Sequence, residues 1–599
     1  MTSGYTPKQW SVALVTPIYK KGARNDPKNY RPISVLPVFA RLFASVMREK
    51  LDKYIQESDL LSYSQIGNRK GYRTADHIAT LLTLIQSKKK KKRPFHMVFF
   101  DLKNAFDTVD HATLIKRLGT LGVNHSLVRV IASMYSDARF QLKMSEGVAS
   151  GTHQITNGVR QGCPLSPLLF SLYIDPLTTV LRDAFDSNTY VENEMVNNLL
   201  YCDDLVIFGE SAQELQKGLD KVAEFCQTNG LIINTDKTKM ISCNSAQQAQ
   251  QKLILYGQTI DSVETWKYLG FHMNVKGNAD THAIEISKRC GHPIFLLRRL
   301  ASTNAVKYQQ LTRIVTALVD SIVLYASEAW GAFLPWNFGS WDRSLFERVN
   351  FKSCKSLLQV SPSTDNIGTR TEVGRLPLLY NIQTRSIRYW SSISKRPDSI
   401  IARIVRDPEY RNVGIMDKVS CDIMKNCCQG SVATAIRTHR SNFISSFSEY
   451  WRHRAENSGK LKHFYYTFKT SLGSEKYLSD IQDPRLRQTL AKFRLGDHKL
   501  AVETLRYVRP KVAYENRKCP LCEAEVENEI HLLISCPWAG YGDTRNSFEQ
   551  SMSELVNNFT TLNSNDKAVY LMIQENKEIS EMVASYVERL LTIRKQKLH

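Results

Sequence analysis

The stretch Asn198-Leu199-Leu200-Tyr201-Cys202-Asp203-Asp204-Leu205-Val206-Ile207-Phe208 places two short apolar runs on either side of two adjacent acids. Each run has the length of a buried strand, and the acids between them suit a hairpin turn. Two neighbouring carboxylates with apolar flanks repel each other and lose hydration, so a divalent cation is their simplest counter-charge. Magnesium prefers oxygen ligands of this kind. The alternative is a polar hairpin tip that carries Asp-Asp by chance.

A third acid, Asp101, follows the apolar run His96–Phe100, which also has the length and composition of a strand. If the strands are neighbours, Asp101, Asp203 and Asp204 form the kind of cluster that holds two metal ions roughly 3.5–4 Å apart for in-line phosphoryl transfer. In that chemistry, positioning and charge neutralisation supply most of the rate. The sequence therefore predicts a magnesium site on neighbouring strands.

Seven motifs follow one another along the first half of the chain. They are Asn29–Ser34, Gln65–Thr74, Phe100–Asp107, Gly158–Pro167, Tyr201–Asp204, Gly230–Asn234 followed by Lys237–Lys239, and Lys267–Gly270. In this order they resemble the reverse transcriptases of non-LTR (LINE-type) retrotransposons. The resemblance covers residues from about 10 to 275 and resumes at a cysteine-histidine knuckle near residue 519.

The resemblance implies an α+β fold with the fingers, palm and thumb of a right-hand polymerase, followed by a mainly helical C-terminal region with a small zinc knuckle. A length of 599 residues agrees with several domains. The implied ranges are 1–95 for the fingers, 96–275 for the palm, 276–400 for a helical thumb, 401–515 for a helical linker region, 516–540 for the knuckle and 541–599 for a helical basic tail.

The resemblance also assigns roles to single residues. Asp101, Asp203 and Asp204 would hold two Mg²⁺ ions, and Lys237 would be the general acid that protonates the leaving pyrophosphate. Phe106 would lie under the sugar of the incoming nucleotide and exclude a 2′-hydroxyl, which selects dNTPs. The alternatives are an aromatic ring packed behind the strand for Phe106 and an ordinary surface lysine for Lys237.

Five further residues are assigned to substrate binding by the same resemblance. Gln161 would contact the nucleotide, beside Gly162, where glycine permits a close backbone approach to a ligand. Arg73, Tyr201 and Cys202 complete the predicted substrate site.

Two residues depart from the family's usual pattern. Asn68 stands where phenylalanine is usual in the fingers, and Cys202 stands where alanine is usual beside the paired acids. Both departures leave the three carboxylates intact and thus the predicted reaction. We also expect the chain to lack the endonuclease that usually precedes the polymerase, as in a truncated copy, a mis-bounded reading frame or a protein put to host use.

The spacing Cys-x2-Cys-x8-His-x4-Cys, formed by Cys519, Cys522, His531 and Cys536, predicts one closed structural Zn²⁺ site. Three thiolates and an imidazole leave no open position for catalysis. The flanking Arg517, Lys518 and Trp538 suit contact with a single strand through charge and stacking.

The composition favours a polyanionic partner. Eighty Lys and Arg against 58 Asp and Glu leave a net charge of +22. The expected partners are an RNA template, a DNA primer or target, and dNTPs, although ribosomal, chromatin and membrane-surface proteins are also basic. The 12 scattered cysteines indicate a reduced, intracellular compartment, with the nucleus favoured and the cytoplasm also allowed. No membrane span is expected, because Asp320 and Glu328 interrupt the apolar stretch 314–336.

Three local patterns give further predictions. A helix from Val38 to Ile55 is expected to bury Leu42, Val46, Leu51 and Ile55. The run Lys88–Arg93 predicts an exposed loop, which would be solvated, a nuclear import signal or a nucleic-acid contact. In the thumb, Lys288, Arg289, Arg298 and Arg299 would lie along a template-primer duplex or be simply solvated.

Together these patterns predict an RNA-directed DNA polymerase that extends a primer 3′ end with dNTPs. An RNA-dependent RNA polymerase would normally carry a ribose-reading polar residue in place of Phe106. A catalytically inactive or host-adopted nucleic-acid-binding remnant would not need all three acids, and a purely structural zinc scaffold would not need the motif order.

Overall fold

The computed structural model describes residues 4–144, 149–185, 189–244, 252–410, 413, 431–457, 461, 463–573 and 576–598. The chain divides into two compact units. The first comprises residues 1–282, 328–333 and 388–425, and the second comprises residues 283–327, 334–387 and 426–599.

All strands of the described residues belong to the first unit. They are β1 (Val12–Tyr19), β2 (Tyr30–Val35), β3 (Phe95–Phe100), β4 (Arg139–Leu142), β5 (His153–Gln154), β6 (Tyr190–Val191), β7 (Glu194–Met195), β8 (Asn198–Tyr201), β9 (Asp204–Gly209), β10 (Lys239–Cys243), β11 (Ile254–Leu255), β12 (Gln258–Thr259), β13 (Asp261–Ser262), β14 (Thr265–Tyr268) and β15 (Phe271–Asn274).

The helices of the described residues are, in chain order, α1 (Val38–Glu57), α2 (Thr74–Lys90), α3 (His111–Thr120), α4 (His125–Ser136), α5 (Ser166–Ile174), α6 (Pro176–Ala184), α7 (Ala212–Thr228), α8 (Asp280–Arg289), α9 (Gly291–Ala301), α10 (Tyr308–Val315), α11 (Ser321–Val323), α12 (Ser327–Trp330), α13 (Phe338–Asp342), α14 (Leu345–Leu358), α15 (Asn366–Glu372), α16 (Leu378–Ser394), α17 (Ile400–Arg406), α18 (Val432–Glu456), α19 (Tyr465–Phe468), α20 (Tyr477–Asp480), α21 (Pro484–Arg494), α22 (Ala501–Thr504), α23 (Gly542–Leu555), α24 (Ser564–Ile573) and α25 (Lys577–Leu598). Helices α1 to α7 and α17 lie in the first unit, and α9 to α11, α13 to α15 and α18 to α25 lie in the second.

A five-stranded sheet in the order β13-β10-β3-β9-β8 forms the centre of the first unit. Strand β3 lies in the middle, and all six of its residues are buried. It runs antiparallel to β9, with Phe100 opposite Leu205, and antiparallel to β10, with Phe99 opposite Lys239. This register brings Asp101, just after β3, to the end of the sheet where β9 begins at Asp204.

Both faces of β3 are covered, which explains its continuous apolar run. Val98 and Phe100 on one face pack into the hydrophobic core formed with α3 to α7. On the other face, Phe99 contacts Tyr268 of β14, with ring centroids 5.3 Å apart. Each buried phenylalanine contributes roughly 1.5–3 kcal/mol, so burial of these side chains anchors the sheet that carries the acids.

Helix α1 corrects one prediction about the fingers. The helix is present, but Leu42 is 62% exposed and Val46 is 39% exposed. The buried residues are Ala40, Ala44, Met47, Leu51 and Ile55. The prediction selected the larger side chains, whereas the packed stripe runs through two alanines, whose small size permits close approach to the core.

The run Lys88–Arg93 is only in part the exposed loop that its composition predicts: residues 89–93 are exposed, but Lys88 is buried and residues 88–90 are helical. Helix α2 continues to Lys90, and the buried Lys88 places Nζ 2.6 Å from Glu210 Oε1. Lys91 pairs with Glu409. A lysine can be buried when a carboxylate compensates its charge, and cations near a helix C-terminus are favoured by the helix dipole.

In the second unit, the regular elements of the described residues are helical, apart from an isolated bridge between Lys518 and Val526. Buried arginines cross-link these helices: Arg370 Nη1 lies 2.6 Å from Glu347, and Arg494 Nε lies 2.6 Å from Glu372. Among the described residues, no single helix is long and apolar enough to cross a membrane, and residues 308–323 and 327–333 pass that test only together, as a bent pair.

Candidate active site

The predicted catalytic hairpin is present as β8 and β9. Tyr201 pairs with Asp204, which leaves Cys202 and Asp203 as the two turn residues. Cys202 has a φ of +56°, in the left-handed region that residues with a Cβ rarely occupy. A residue held there costs of order 1–3 kcal/mol and persists only when its surroundings fix it.

The segment 64–67 supplies this support from beneath the turn. Buried Gln65 accepts hydrogen bonds through Oε1 from the backbone N–H of Cys202, at 3.2 Å, and of Gly67, at 2.8 Å. Strand β8 is tied to the same segment, because Leu200 donates to Ser64 and accepts from Ile66. A Cβ on Gly67 would lie 2.3 Å from the Cys202 nitrogen, so only glycine fits there.

The two residues that depart from the family pattern touch each other at this turn. The amide Nδ2 of Asn68 donates to Sγ of Cys202 at 2.8 Å. Asn68 itself has a φ of +60°, a conformation that asparagine tolerates better than phenylalanine does. Burial raises the pKa of the Cys202 thiol to about 12, and Asp203 adds to the shift, so the group remains a neutral thiol. Nothing in the sequence indicates this contact.

The electrostatics of the three acids fit a cation. Loss of hydration raises the pKa of Asp204, at the exposed start of β9, to about 7, with Asp203 and Asp101 adding repulsion, and it also raises the pKa of Asp203. The protein alone therefore disfavours ionisation of the hairpin acids. An oxygen donor set with excess negative charge suits Mg²⁺, which would restore the ionised form.

Two neighbours fix the third acid, Asp101. Asn234 donates through Nδ2 to Asp101 Oδ2 at 2.9 Å, and Lys237 Nζ lies 3.2 Å from the same oxygen. The backbone N–H of Asn234 also donates to the Asp101 carbonyl at 2.8 Å. The structure thus places Lys237 beside Asp101, as the role that the resemblance implies for it requires. Asn234 lies inside a recognised motif, but its role as an orienting residue was not predicted.

Behind the hairpin, buried His77 supports Tyr201 at the end of β8. The two rings meet edge to face, with centroids 6.4 Å apart, and Tyr268 Oη lies 3.2 Å from His77 Nδ1. Burial lowers the pKa of His77 to about 3, so the ring stays neutral. This aromatic support comes from α2 and β14, and no spacing in the sequence indicates it.

A groove of about 210 Å³ is lined by Gln161, one residue of the predicted nucleotide site, together with Asp107 and Gly158. Oε1 of Gln161 is buried and has no hydrogen-bond partner among the described residues. Gly162 has a φ of +118°, and a Cβ there would lie 2.7 Å from the carbonyl oxygen of Ser34. The close backbone contact that glycine permits at residue 162 is therefore with Ser34 of strand β2.

Phe106 and Arg73 have different surroundings. Half-buried Phe106 stacks on Phe170, with centroids 4.6 Å apart and planes 19° apart. Packing therefore holds the ring in place, which is compatible with both the gate and the packing roles. Arg73 is exposed and precedes α2, and its backbone N–H donates to Asp76 at 2.9 Å.

The four knuckle residues come together in the second unit. The ligand atoms of Cys519, Cys522, His531 and Cys536 all lie within 4.8 Å of one another. The Sγ atoms of Cys519 and Cys536 are 4.0 Å apart, close to the ~3.8 Å edge of a tetrahedron with Zn–S bonds of ~2.3 Å. His531 Nδ1 lies 3.1 Å from Glu525, which would fix the tautomer that presents Nε2 to a metal.

Three arginines near the knuckle form hydrogen bonds or ion pairs within the fold. Arg517 donates to the carbonyls of Val502 and Val512, and Arg594 Nε lies 2.5 Å from buried Glu527. Arg545 donates to the carbonyls of His531, Leu532 and Cys536. Of the two flanking cations that are predicted to contact a single strand, only Lys518 is exposed. Its Nζ donates a hydrogen bond to the Ala524 carbonyl.

The first part of the chain is similar in sequence to known proteins. Residues 18–273 match the family described as "Reverse transcriptase (RNA-dependent DNA polymerase)". The chain is 26% identical over 293 residues to the "Retrovirus-related Pol polyprotein from type-1 retrotransposable element R2" of Popillia japonica, covering 48% of this chain and 41% of that protein. It is 27% identical over 346 residues to the "Probable RNA-directed DNA polymerase from transposon BS" of Drosophila melanogaster, covering 56% and 37%.

Among solved structures, apo telomerase from Candida tropicalis is 14% identical with a TM-score of 0.37, covering 67% of this chain and 70% of that one. The chain spans about two fifths of the length of the two curated relatives. The family match and these relatives confirm the resemblance stated from the motifs.

Proposed function

We propose, from the premise that residues 18–273 form a reverse transcriptase domain of the non-LTR retrotransposon type, that the protein is an RNA-directed DNA polymerase that extends a primer 3′ end with dNTPs. The observation that carries the proposal is the register of β3, β9 and β8, which gathers Asp101, Asp203 and Asp204 at one end of a buried sheet.

The reaction would join the primer 3′ oxygen to the α-phosphorus of a dNTP while the bond to the β-phosphate oxygen breaks and pyrophosphate leaves. Asp101, Asp203 and Asp204 would hold two Mg²⁺ ions, which supply charge neutralisation at the phosphates. Lys237 would give a proton to the leaving pyrophosphate, and Asn234 would orient Asp101 through the 2.9 Å hydrogen bond.

Substrate selection would involve the groove beside Gln161. The free acceptor Oε1 suits a hydrogen-bond donor on the bound nucleotide or template. Phe106, held by Phe170, would present an apolar ring to the sugar and exclude the 2′-hydroxyl. Arg73, Tyr201, Cys202 and Gly162 would complete the site, with Cys202 and Gly162 acting through backbone placement.

The knuckle would hold one Zn²⁺ ion through Cys519, Cys522, His531 and Cys536, whose spacing and donor chemistry fit a closed site. Its role would be structural, because four protein ligands leave no position for a reacting group. An RNA template and a DNA primer or target are the proposed macromolecular partners. The proposed location is intracellular, with the nucleus favoured and the cytoplasm also allowed.

Primer extension on an RNA template by the purified chain tests the proposal. We expect Mg²⁺-dependent extension with dNTPs and little with rNTPs. Preference for rNTPs would identify an RNA polymerase instead. Binding of primer-template without extension by either set would identify a catalytically inactive remnant.

A further inference from the structure

A groove of about 460 Å³ lies in the second unit, where α9 packs against α14. Its floor is apolar and includes buried Phe351, and its rim carries Phe295, whose side chain is 65% exposed. An aromatic ring this exposed beside a concave surface is a candidate contact for a planar ligand.

Four cations line the same groove and no carboxylate does. They are Arg298 on α9 and Arg348, Lys352 and Lys355 on α14. Among the described residues, Arg298, Arg348 and Lys352 form no ion pair and are exposed. The acids close by in sequence are engaged elsewhere, since Glu347 is buried against Arg370 and Asp365 caps α15.

The cations on α14 form a row. Arg348, Lys352 and Lys355 are four and three residues apart, so they share one helix face and span ~10 Å at 1.5 Å per residue. Lys355 Nζ also donates to the Pro362 carbonyl at 2.6 Å, so the row is carried mainly by Arg348 and Lys352. A stacked nucleic-acid strand carries one phosphate per ~3.4 Å, so a row of this length spans about three nucleotides. Arg298 and Phe295 lie across the groove from this row, one turn apart on α9.

We propose that this groove binds a single-stranded polynucleotide, with the α14 cations along its phosphates and Phe295 stacked on a base. Exposed cations with an aromatic ring are the elements by which proteins hold single strands without reading sequence. A paired duplex would not present a base face to Phe295, and an acidic peptide would not use the stacking position. A polynucleotide is chosen among polyanions because of the proposed function, on which this inference rests.

Anisotropy with fluorescein-labelled oligouridylate and oligothymidylate of equal length tests the groove, with a blunt duplex for comparison. Unlabelled hairpin primer-template is added first to fill the polymerase site. The variants are Arg348→Gln combined with Lys352→Gln, and Phe295→Ala. The matched controls are Arg343→Gln, an exposed cation outside the groove, and Leu296→Ala, the neighbour of Phe295.

We expect the double variant to reduce the slope of log affinity against log salt by about 1.4, since each single-strand phosphate contact contributes about 0.7. Phe295→Ala should weaken single-strand binding about 5- to 150-fold with little change in the slope. Both controls should bind as the parent does, and all variants should keep the parent's melting temperature. A loss of affinity for either oligouridylate or oligothymidylate supports the site. The ratio of the two losses of affinity shows whether RNA or DNA is preferred.

Unchanged single-strand affinity in both groove variants overturns the proposal, as does a larger loss for duplex than for single strand. Crosslinks from 4-thiouridine that map only outside residues 291–301 and 345–358 also overturn it. Extension of a saturating hairpin primer-template is measured separately. A parent that binds oligonucleotide through the groove but never extends would refute the polymerase assignment and leave the groove standing.

Discussion

The contact between Asn68 and Cys202 predicts that the two residues are energetically coupled. Cys202→Ala leaves the half-buried amide of Asn68 without its acceptor, which costs about 1–3 kcal/mol. Asn68→Phe removes the same hydrogen bond and adds a left-handed backbone penalty of roughly 1 kcal/mol at φ +60°. In the double variant the hydrogen bond is lost only once.

The double variant should therefore lose about 1 kcal/mol less than the sum of the single variants. Hydrogen exchange of residues 198–208 measures the local opening free energy of the hairpin in all four proteins. Single-nucleotide extension gives the same cycle in kcat/KM, where 1 kcal/mol corresponds to about fivefold. Cys226→Ala combined with Asn68→Phe is the matched control, because Cys226 is a buried cysteine on α7.

Additivity within about 0.5 kcal/mol in both readouts would refute the coupling. So would a control pair that couples as strongly as the Cys202 pair, because the effect would then belong to cysteine burial and not to the catalytic turn.

Three further predictions follow from other sites. Phe106→Val should open space beneath the sugar and reduce the dNTP over rNTP preference at least about tenfold, and an unchanged ratio in steady-state extension would leave Phe106 as a packing residue on Phe170. Changing Cys519 and Cys522 to Ser should release about one zinc equivalent per chain by mass spectrometry and spare extension on a simple primer-template, whereas a zinc-free parent would contradict the site. Burial beside Tyr380 and Phe443 lowers the pKa of His439 to about 4, so below pH ~6.5 the unfolded chain binds a proton at this histidine and the folded chain does not. The parent's free energy of unfolding should therefore fall by up to about 2 kcal/mol between pH 7.5 and 5, and His439→Phe should not show this loss. Equal pH profiles of the two proteins in thermal unfolding would contradict this.

The sequence was sufficient to predict the elements that carry strong local signals. Unbroken apolar runs predict β3, β8 and β9, and an acid at the end of each run predicts the position of Asp101, Asp203 and Asp204. The fixed spacing of Cys519, Cys522, His531 and Cys536 predicts their convergence, because a metal site imposes a narrow range of loop lengths.

The remaining features depend on contacts between distant segments. Gln65 contacts Cys202 from 137 residues away, and Asn68 does so from 134. Contacts between such distant residues produce no periodic pattern in the sequence. Lys88 is buried only because Glu210 compensates its charge. Leu42 is exposed because the neighbouring face of helix α1, which carries alanines, packs more closely against the core. The hydrophobicity of single residues does not predict which of the two faces is buried.

The measurement that tests the central claim most directly compares Asp203→Asn with Asp183→Asn, an exposed acid of the first unit away from the hairpin. Extension of a primer on an RNA template and binding of the same primer-template are measured for both. The account predicts that Asp203→Asn abolishes extension and leaves binding nearly unchanged, because it removes a metal ligand but no basic surface, and that Asp183→Asn matches the parent. Substantial extension by purified Asp203→Asn would contradict the assignment of this hairpin as the catalytic centre.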